Sequence, residues 1–297
     1  MQYRTLGKTG WKVSALGVGC AEIGFDPISR EDAKRMLSAA LDSGVNVVDT
    51  AAAYLESEKL IGEAISDRRD SFVLMTKCGA IDGFQRSDWS KDGILKTVQN
   101  SLRNLKTDHV DVLFLHSCGE LEMSWGEALV GLEAAKEQGL TKAIGYSGDG
   151  PAALWAVRSG RFDVLECSLN IFDQETISLL LPDVRKSGIG LIVKRPIGNA
   201  VWRYKSKPEN DYHFNYWERS QALRYPFLTD PITASDRALR FTLSFQEVSS
   251  AIVGTTNPER FQQNISILSG GPLKQSEIEE IRREWSRVSD PTWVGQI

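Results

Sequence analysis

The amino-acid sequence predicts an α/β protein: a (β/α)8 TIM barrel with an N-terminal β-hairpin plug and an extra C-terminal helix. Three observations predict it. Short apolar, β-branched runs alternate with longer amphipathic runs along the chain, the pattern of a parallel sheet with helices outside it. Eight such strand–helix units in roughly 250 residues match the size of a closed barrel. Ahead of them, Tyr3–Leu6 and Trp11–Val13 flank Gly7-Lys8-Thr9-Gly10, a hairpin signal. Such a hairpin can plug the N-terminal mouth of the barrel.

The units follow in order. Val13–Val18 is the first strand and Arg30–Ser43 its helix. Val45–Asp49 is the second strand. Its helix, Glu56–Ser66, carries Leu60, Ile61, Ala64 and Ile65 at helical spacing. Phe72–Lys77 precedes the helix Lys91–Asn104. Val110–His116 precedes Trp125–Glu137, which ends near Gly139. Thr141–Tyr146 leads to Pro151–Ser159, closed by Gly160. Asp163–Ser168 leads to Gln174–Lys186, stopped by Gly188. Ile189–Lys194 is the seventh strand, and an irregular insert, Gly198–Thr233, separates it from its helix, Ala234–Ser244. Ser250–Val253 is the last strand, Pro258–Leu268 its helix, and Ser276–Arg287 the added helix. About 35 residues without clear elements is long for a loop, which favours an active-site role for the insert. Nothing marks a second domain, so residues 1–297 read as one.

Composition excludes several functions. The 297 residues carry 35 Lys and Arg against 39 Asp and Glu, a net charge of -4. A general nucleic-acid binder needs a basic surplus or patch. No apolar run reaches the ~20 residues that span a bilayer, and Met1–Gly10 lacks the apolar stretch of a signal peptide. Cys20, Cys78, Cys118 and Cys167 have no CxxC spacing and read as free thiols of a reducing cytosol. The expectation is a cytoplasmic protein with no nucleic-acid or membrane partner. There is no HExxH and no Cys/His cluster, so no metal site is expected.

Three short motifs fall short. Gly17-Val18-Gly19 begins a dinucleotide fingerprint, but Glu22 stands where the third glycine belongs. Gly7-Lys8-Thr9 lacks the leading glycine of a phosphate loop. Gly145-Tyr146-Ser147-Gly148-Asp149 ends one glycine short of a nucleophile elbow.

A different set holds together. Catalytic groups of such barrels sit at the C-terminal ends of the strands. Asp49 ends the second strand, Lys77 the third and His116 the fourth, Asp49 and His116 directly after apolar residues and Lys77 after Leu74-Met75-Thr76. Tyr54 follows in the loop after Asp49. A buried Asp–Lys pair alone is equally a structural ion pair, and a lone His is more often a satisfied core residue. The four together make chemical sense. A phenol of ordinary pKa near 10 is a weak acid at neutral pH, and a neighbouring ammonium lowers that value. A carboxylate keeps the lysine charged, and an imidazole orients a carbonyl. The set is a general acid for a carbonyl oxygen as hydride reaches its carbon.

On these residues the chain resembles the aldo-keto reductases over nearly its whole length. The resemblance rests on Asp49-Thr50-Ala51-Ala52-Ala53-Tyr54 with Ser57-Glu58, on Thr76-Lys77, on Leu115-His116, and on Gly254-Thr255-Thr256-Asn257-Pro258-Glu259-Arg260 with Asn264. It implies the same barrel and hairpin, with NADP(H), or NAD(H) in its place, across the C-terminal mouth. It implies Tyr54 as proton donor, Asp49 and Lys77 as the groups that tune it, and His116 as the carbonyl-orienting group. The residues it places against the coenzyme are Gly19, Cys20, Ser147, Gly148, Glu166, Lys194, Arg195, Pro196, Ile197, Gly198, Gly254, Thr255, Thr256, Asn257, Arg260, Gln263 and Asn264. The last of these open a helix, whose free amides and dipole attract phosphate. By the resemblance, Arg260 faces the 2′-phosphate and adenine, and Asn264 the adenine.

The chain departs from the family pattern around the nicotinamide. Gly148 stands where an asparagine follows the serine, and Glu166 where a glutamine is usual. Lys194-Arg195-Pro196 replaces an aromatic and Ser-Pro, and Cys20-Ala21 replaces Thr-Trp. Gly254 replaces a lysine found in many relatives. The implied function is an oxidoreductase reducing an aldehyde or ketone to an alcohol, reversibly, with a small-molecule substrate and a monomeric or weakly homo-oligomeric state. The alternative is a nucleotide-binding regulatory or scaffold subunit with little turnover. Trp89, Trp125, Trp202, Trp217 and Trp293 can line a carbonyl pocket. The aromatics of the insert, among them Tyr204, Tyr212, Phe214 and Tyr216, suit an apolar or sugar-like ligand.

Overall fold

The computed structural model describes residues 1–26 and 28–296. The strands Leu16–Gly19 (β1), Val47–Asp49 (β2), Val73–Cys78 (β3), Val110–His116 (β4), Thr141–Ser147 (β5), Val164–Ser168 (β6), Gly190–Lys194 (β7) and Val248–Gly254 (β8) close into a barrel in chain order. Every neighbouring pair is parallel, including β8 against β1.

The period-2 alternation of strand side chains sorts the core into two compartments. Val47, Met75, Val112, Phe114, Ala143, Val164, Ile192 and Ile252 point into the lumen and meet Leu6 and Val13 of the hairpin. Alternate residues such as Leu74, Leu113, Leu115, Leu165, Leu191 and Val193 point outward and pack beneath the helices. The helices present matching stripes: Ala33, Met36, Leu37, Ala40 and Leu41 on Arg30–Asp42, and Ile94, Val98, Leu102 and Leu105 on Lys91–Leu105. Both start at serine caps. Ser29 Oγ accepts from Asp32 N at 3.0 Å, and Ser90 Oγ from Gly93 N at 3.0 Å, each satisfying an amide that the first turn leaves free.

The hairpin plug forms as expected. Tyr3–Thr5 pairs antiparallel with Lys12–Ser14, and the turn docks on the strand-seven side through Lys8 N to Gly188 O at 2.8 Å. Arg4 reaches the far end of the chain, donating to Val248 O and Leu243 O at 2.7 Å each.

Several boundaries differ from the expectation, each for a local reason. Val13 belongs to the hairpin, and the first barrel strand begins at Leu16. Ser14 makes the break: its amide donates to Asn46 Oδ1 and its hydroxyl to Leu16 O. The fourth helix starts later, at Ala128, beyond Gly126, and a separate short helix, Glu120–Ser124, precedes it. The sixth divides into Glu175–Leu179 and Leu181–Ser187, because Pro182 has no amide to continue the ladder. The seventh helix starts earlier, at Pro231, capped by Asp230. Three short elements lie outside the expectation: the helices Ala21–Phe25 and Glu120–Ser124 and the ribbon Ala80–Ile81 with Arg86–Ser87.

The insert is not irregular throughout. It contains the helix Phe214–Leu223 between short 3-10 turns. Tyr216 Oη donates to Asp173 Oδ2 at 2.9 Å, and Arg219 Nη1 donates to Phe172 O at 3.1 Å. Asp173 and Tyr216 are both fully buried. Burial, reinforced by the charge of Asp149 and opposed by Arg219, pushes the Asp173 carboxyl up to about 7. A carboxyl raised above its unfolded value of about 3.9 stabilises the fold below that value and loses the contribution as pH rises through 7. Asp173→Asn is therefore expected to shrink the loss of thermal stability between pH 5 and pH 8. Melting curves of both proteins at the two pH values check this.

After the helix Gln275–Val288 the chain returns to the C-terminal mouth. Arg219 Nη2 donates to Val294 O at 2.8 Å, Arg195 Nη1 to Gln296 O at 2.7 Å, and Gly295 N to Glu175 Oε2 at 2.7 Å. Among the described residues no helix is long and apolar enough to cross a membrane, and no cluster of His, Cys, Asp and Glu is arranged to hold a metal.

Candidate active site

The same alternation that fills the lumen with apolar groups ends in a polar layer. Two residues above Val47, Met75, Phe114 and Val164 stand Asp49, Lys77, His116 and Glu166, and Gly145 is followed two residues later by Ser147. All five polar groups are buried.

Lys77 is the centre of the layer. Its Nζ donates to Asp49 Oδ1 at 2.6 Å, Asp49 Oδ2 at 2.7 Å and Thr50 O at 3.0 Å. It also lies 3.4 Å from Glu166 Oε1. Burial opposes the ammonium charge, but Asp49 and Glu166 outweigh it and hold Lys77 protonated above its ordinary range.

Tyr54 comes from the loop after β2, which is tied down on both sides. Ala52 N donates to Lys77 O at 3.1 Å, Ser57 N to Tyr54 O at 2.8 Å, and Ser57 Oγ to Cys20 O at 2.7 Å. Behind the loop, Glu58 accepts from Thr76 Oγ1 at 2.7 Å and Asn104 Nδ2 at 3.3 Å, locking the next helix to β3. The Tyr54 ring therefore stands 5.3 Å from Lys77 Nζ and edge-on to His116, with ring centroids 5.5 Å apart.

Lys77 does pull the Tyr54 pKa down, as expected, but burial outweighs it. Burial pushes the phenol well above its ordinary value, and the charges of Asp49 and Glu166 add to that push against Lys77. Two carboxylates flank the one ammonium, so its pull on the phenol is opposed but not removed. His116 is held neutral: burial, then the cations Lys77, Lys194 and Arg195, drive its pKa well below the ordinary range. Its Nδ1 finds no partner among the described residues.

The second ring of expected residues is brought to the same mouth. Ser147 Oγ donates to Glu166 Oε1 at 3.1 Å, and Glu166 Oε2 is buried with no partner among the described residues. Gly148 has room for no side chain, because a Cβ there meets the buried ring of Tyr146. Lys194 is not a free cation: it pairs with Asp149 Oδ2 at 3.1 Å. Arg195 is likewise engaged, donating to Ser168 Oγ and Tyr212 Oη at 2.9 Å and to the tail at Gln296 O. Pro196 and Gly198 turn away, towards Thr242 and Phe172, with Ile197 between them. Gly19 pairs in register with Asp49 and Gly254, and Cys20 N donates to Asp49 O at 2.9 Å.

At β8, Thr255 and Asn257 are already used in capping. Thr255 Oγ1 accepts from Asn257 N at 3.1 Å, and Asn257 Oδ1 accepts from Glu259 N and Arg260 N at the start of the helix Pro258–Ile267. Thr256 is half-buried, Asn264 is buried, and Arg260 and Gln263 are exposed along the same helix. The space that a side chain on Gly254 needs is filled by the carboxyl group of Glu22.

Sequence reasoning missed the aromatic walls nearest the phenol. Phe25 and Phe84 lie 5.9 and 6.1 Å from Tyr54, and Phe84 lies 4.9 Å from His116. Each is about half exposed. Neither sits in a periodic segment; Phe84 occupies a turn at positive φ, and no pattern in the sequence points to it. Of the expected tryptophans, Trp125 is almost fully exposed, Trp89 lies against Gly79, Trp202 packs on Phe172, Trp217 donates to Tyr204 O, and Trp293 stacks edgewise on Trp285.

A closed parallel barrel with a layer of buried ionisable groups gathered at one mouth is the architecture of a (β/α)8-barrel enzyme. The chain belongs to the aldo-keto reductase family: the model described as Aldo/keto reductase family matches residues 15–285. It is 28% identical to L-galactose dehydrogenase of Arabidopsis thaliana over 320 residues, covering 100% of this chain and 98% of that protein. It is 27% identical to D-threo-aldose 1-dehydrogenase of a Pseudomonas species, covering 86% and 89%. The aldo-keto reductase of Bacillus halodurans in its holo form superposes with a TM-score of 0.81 at 25% identity, covering 96% of each chain. The family works with nicotinamide coenzymes, and the mouth fits one on its own chemistry. An unpartnered Glu166 oxygen beside Ser147 suits an amide donor, and the exposed Arg260 suits phosphate, although the amides expected to be free at that helix start are taken by Asn257.

Proposed function

We propose that this enzyme interconverts an aldehyde or ketone and the corresponding alcohol with NADP(H), using Tyr54 as the general acid and base. The observation that carries the reading is the phenol held between the Lys77 ammonium and the neutral His116 imidazole. The bound coenzyme supplies or takes the hydride. A neutral imidazole at every working pH offers a hydrogen bond to a carbonyl oxygen but no proton. That leaves Tyr54 to protonate the oxygen as the carbon is reduced. Lys77 then stabilises the phenolate, and Asp49 keeps Lys77 aimed at it. In the reverse direction the phenolate removes the hydroxyl proton while the carbinol hydrogen leaves with its electron pair.

The substrate we infer is an aldose-like carbonyl or its alcohol. Two relatives are named for sugars, and the open faces of Phe25 and Phe84 beside Tyr54 can cover the apolar face of a sugar while its hydroxyls meet the polar layer. For the coenzyme, Glu22 beside Gly254 leaves Arg260 as the cation for a 2′-phosphate. Paired fluorescence titrations with NADPH and NADH, followed by turnover of an aldose and a simple aromatic aldehyde, test the reading. Binding with turnover supports it; binding without turnover of any carbonyl supports a regulatory subunit instead. Arg260→Ala is expected to weaken NADPH roughly tenfold, the loss of one charge-assisted contact, and to leave NADH nearly unchanged. Equal losses for both coenzymes remove the 2′-phosphate assignment.

A further inference from the structure

Glu166 has one carboxylate oxygen accounted for and one not. Oε1 accepts from Ser147 Oγ at 3.1 Å and lies 3.4 Å from Lys77 Nζ. Oε2 finds no partner among the described residues, and the side chain is only 1% exposed. A buried carboxylate oxygen left in this way is costly unless a donor or a positive charge arrives beside it.

The acids and cations around it are not matched one to one. Lys77 stands between two carboxyl groups, Asp49 and Glu166, so this inner group sets two acids against one cation, and burial with the charge of Glu166 pushes the Asp49 carboxyl well above its usual range. The next pair, Lys194 and Asp149, cancels internally at 3.1 Å. Arg195 lies beyond it, held by Ser168, Tyr212 and the tail. A neutral glutamine in place of Glu166 makes the same hydrogen bonds and leaves one acid against one cation.

We propose that Glu166 makes this site selective for the oxidised form of the nicotinamide coenzyme, so that the enzyme loads for alcohol oxidation. The inference rests on the reading of the mouth as a nicotinamide site. Hydrogen bonding to the carboxamide does not discriminate between coenzyme forms, because both carry it. Charge does: the oxidised ring bears a positive charge that the reduced ring lacks, and attraction to a buried carboxylate is weakly screened. In the favoured direction the carbinol C–H bond breaks and its electron pair moves with the hydrogen to the oxidised ring. The hydroxyl proton goes to the Tyr54 phenolate, whose own proton has left to solvent. The alcohol loses two electrons and the coenzyme gains them.

Isothermal titration of wild type and Glu166→Gln with NADP+, NADPH, NAD+ and NADH tests this. Wild type is expected to bind the oxidised form of its preferred coenzyme at least as tightly as the reduced form. In Glu166→Gln the ratio of oxidised to reduced Kd is expected to rise about tenfold, through weaker binding of the oxidised form, equivalent to one pKa unit of differential interaction. An unchanged ratio in the variant overturns the inference while leaving the nicotinamide site standing. A wild-type protein that binds the reduced form tenfold more tightly also overturns it, and that measurement needs no variant to fold. Wild type that binds no form of either coenzyme overturns both the site reading and the inference.

Discussion

Tyr54→Phe is expected to lower carbonyl reduction by about a hundredfold to ten-thousandfold, the usual contribution of a positioned general acid, with coenzyme affinity close to wild type. The substitution removes one oxygen and leaves the ring, its edge-on contact with His116 and the loop hydrogen bonds that hold it. No other group near the ring can take over. His116 is neutral because burial and three cations disfavour its charged form, and Lys77 is held protonated by two carboxylates. The phenol's raised pKa also sets the pH dependence. Reduction needs the protonated phenol, so its rate is expected to stay flat through neutral pH. Oxidation needs the phenolate, so its rate is expected to rise with pH across the same range. Steady-state rates in both directions from pH 6 to 10 check the two profiles. Normal reduction by the phenylalanine variant sinks the acid assignment.

Lys77→Met is expected to cost about 3–5 kcal/mol of stability, the usual result of removing one partner from a buried ion pair. At this chain length that corresponds to a melting temperature lower by roughly 10 °C. The loss comes less from missing contacts than from what remains: Asp49 and Glu166, both buried and both facing the emptied position. The cost should then shrink when the stranded charges are neutralised too. Lys77→Met combined with Asp49→Asn and Glu166→Gln is expected to recover much of the melting temperature and none of the activity. If the triple variant melts no higher than the single one, the loss reflects packing of the lysine stem instead. This separates what the polar layer does for the reaction from what it does to the fold, where it is a liability that the apolar lumen beneath it offsets.

Much of the barrel was legible because its information is local. Strand runs such as Val110–His116 and helices such as Lys91–Leu105 carry their period in consecutive residues. The strand-end groups were legible for the same reason: Asp49 and His116 each close an apolar run, and Lys77 follows Leu74-Met75-Thr76 one position before β3 ends at Cys78. What was not legible depends on contacts between distant segments. Lys194 reads as a free cation until β5 brings Asp149 beside it. Gly148 reads as a lost amide until the Tyr146 ring is seen beneath it. Lys77 reads as the neighbour that decides the acidity of Tyr54 until the folded barrel buries the phenol and brings Asp49 and Glu166 against the same lysine. The helix Phe214–Leu223 was missed because its buried residues, Tyr216, Arg219, Ser220 and Leu223, are not an apolar stripe.

The N-terminal hairpin has a consequence for how the chain is made. Arg4 is bound to Leu243 O and Val248 O, and β1 is zipped to β8. At ribosomal rates of about 5–20 residues per second, the first strand waits roughly 12–50 s for these partners to be synthesised. Through that interval Leu6 and Val13 lack a lumen to enter, and one edge of β1 carries unpaired amides and carbonyls, a surface prone to wrong pairings. Residues of the hairpin and β1, made before β8, are thus among the last in the barrel to find their places.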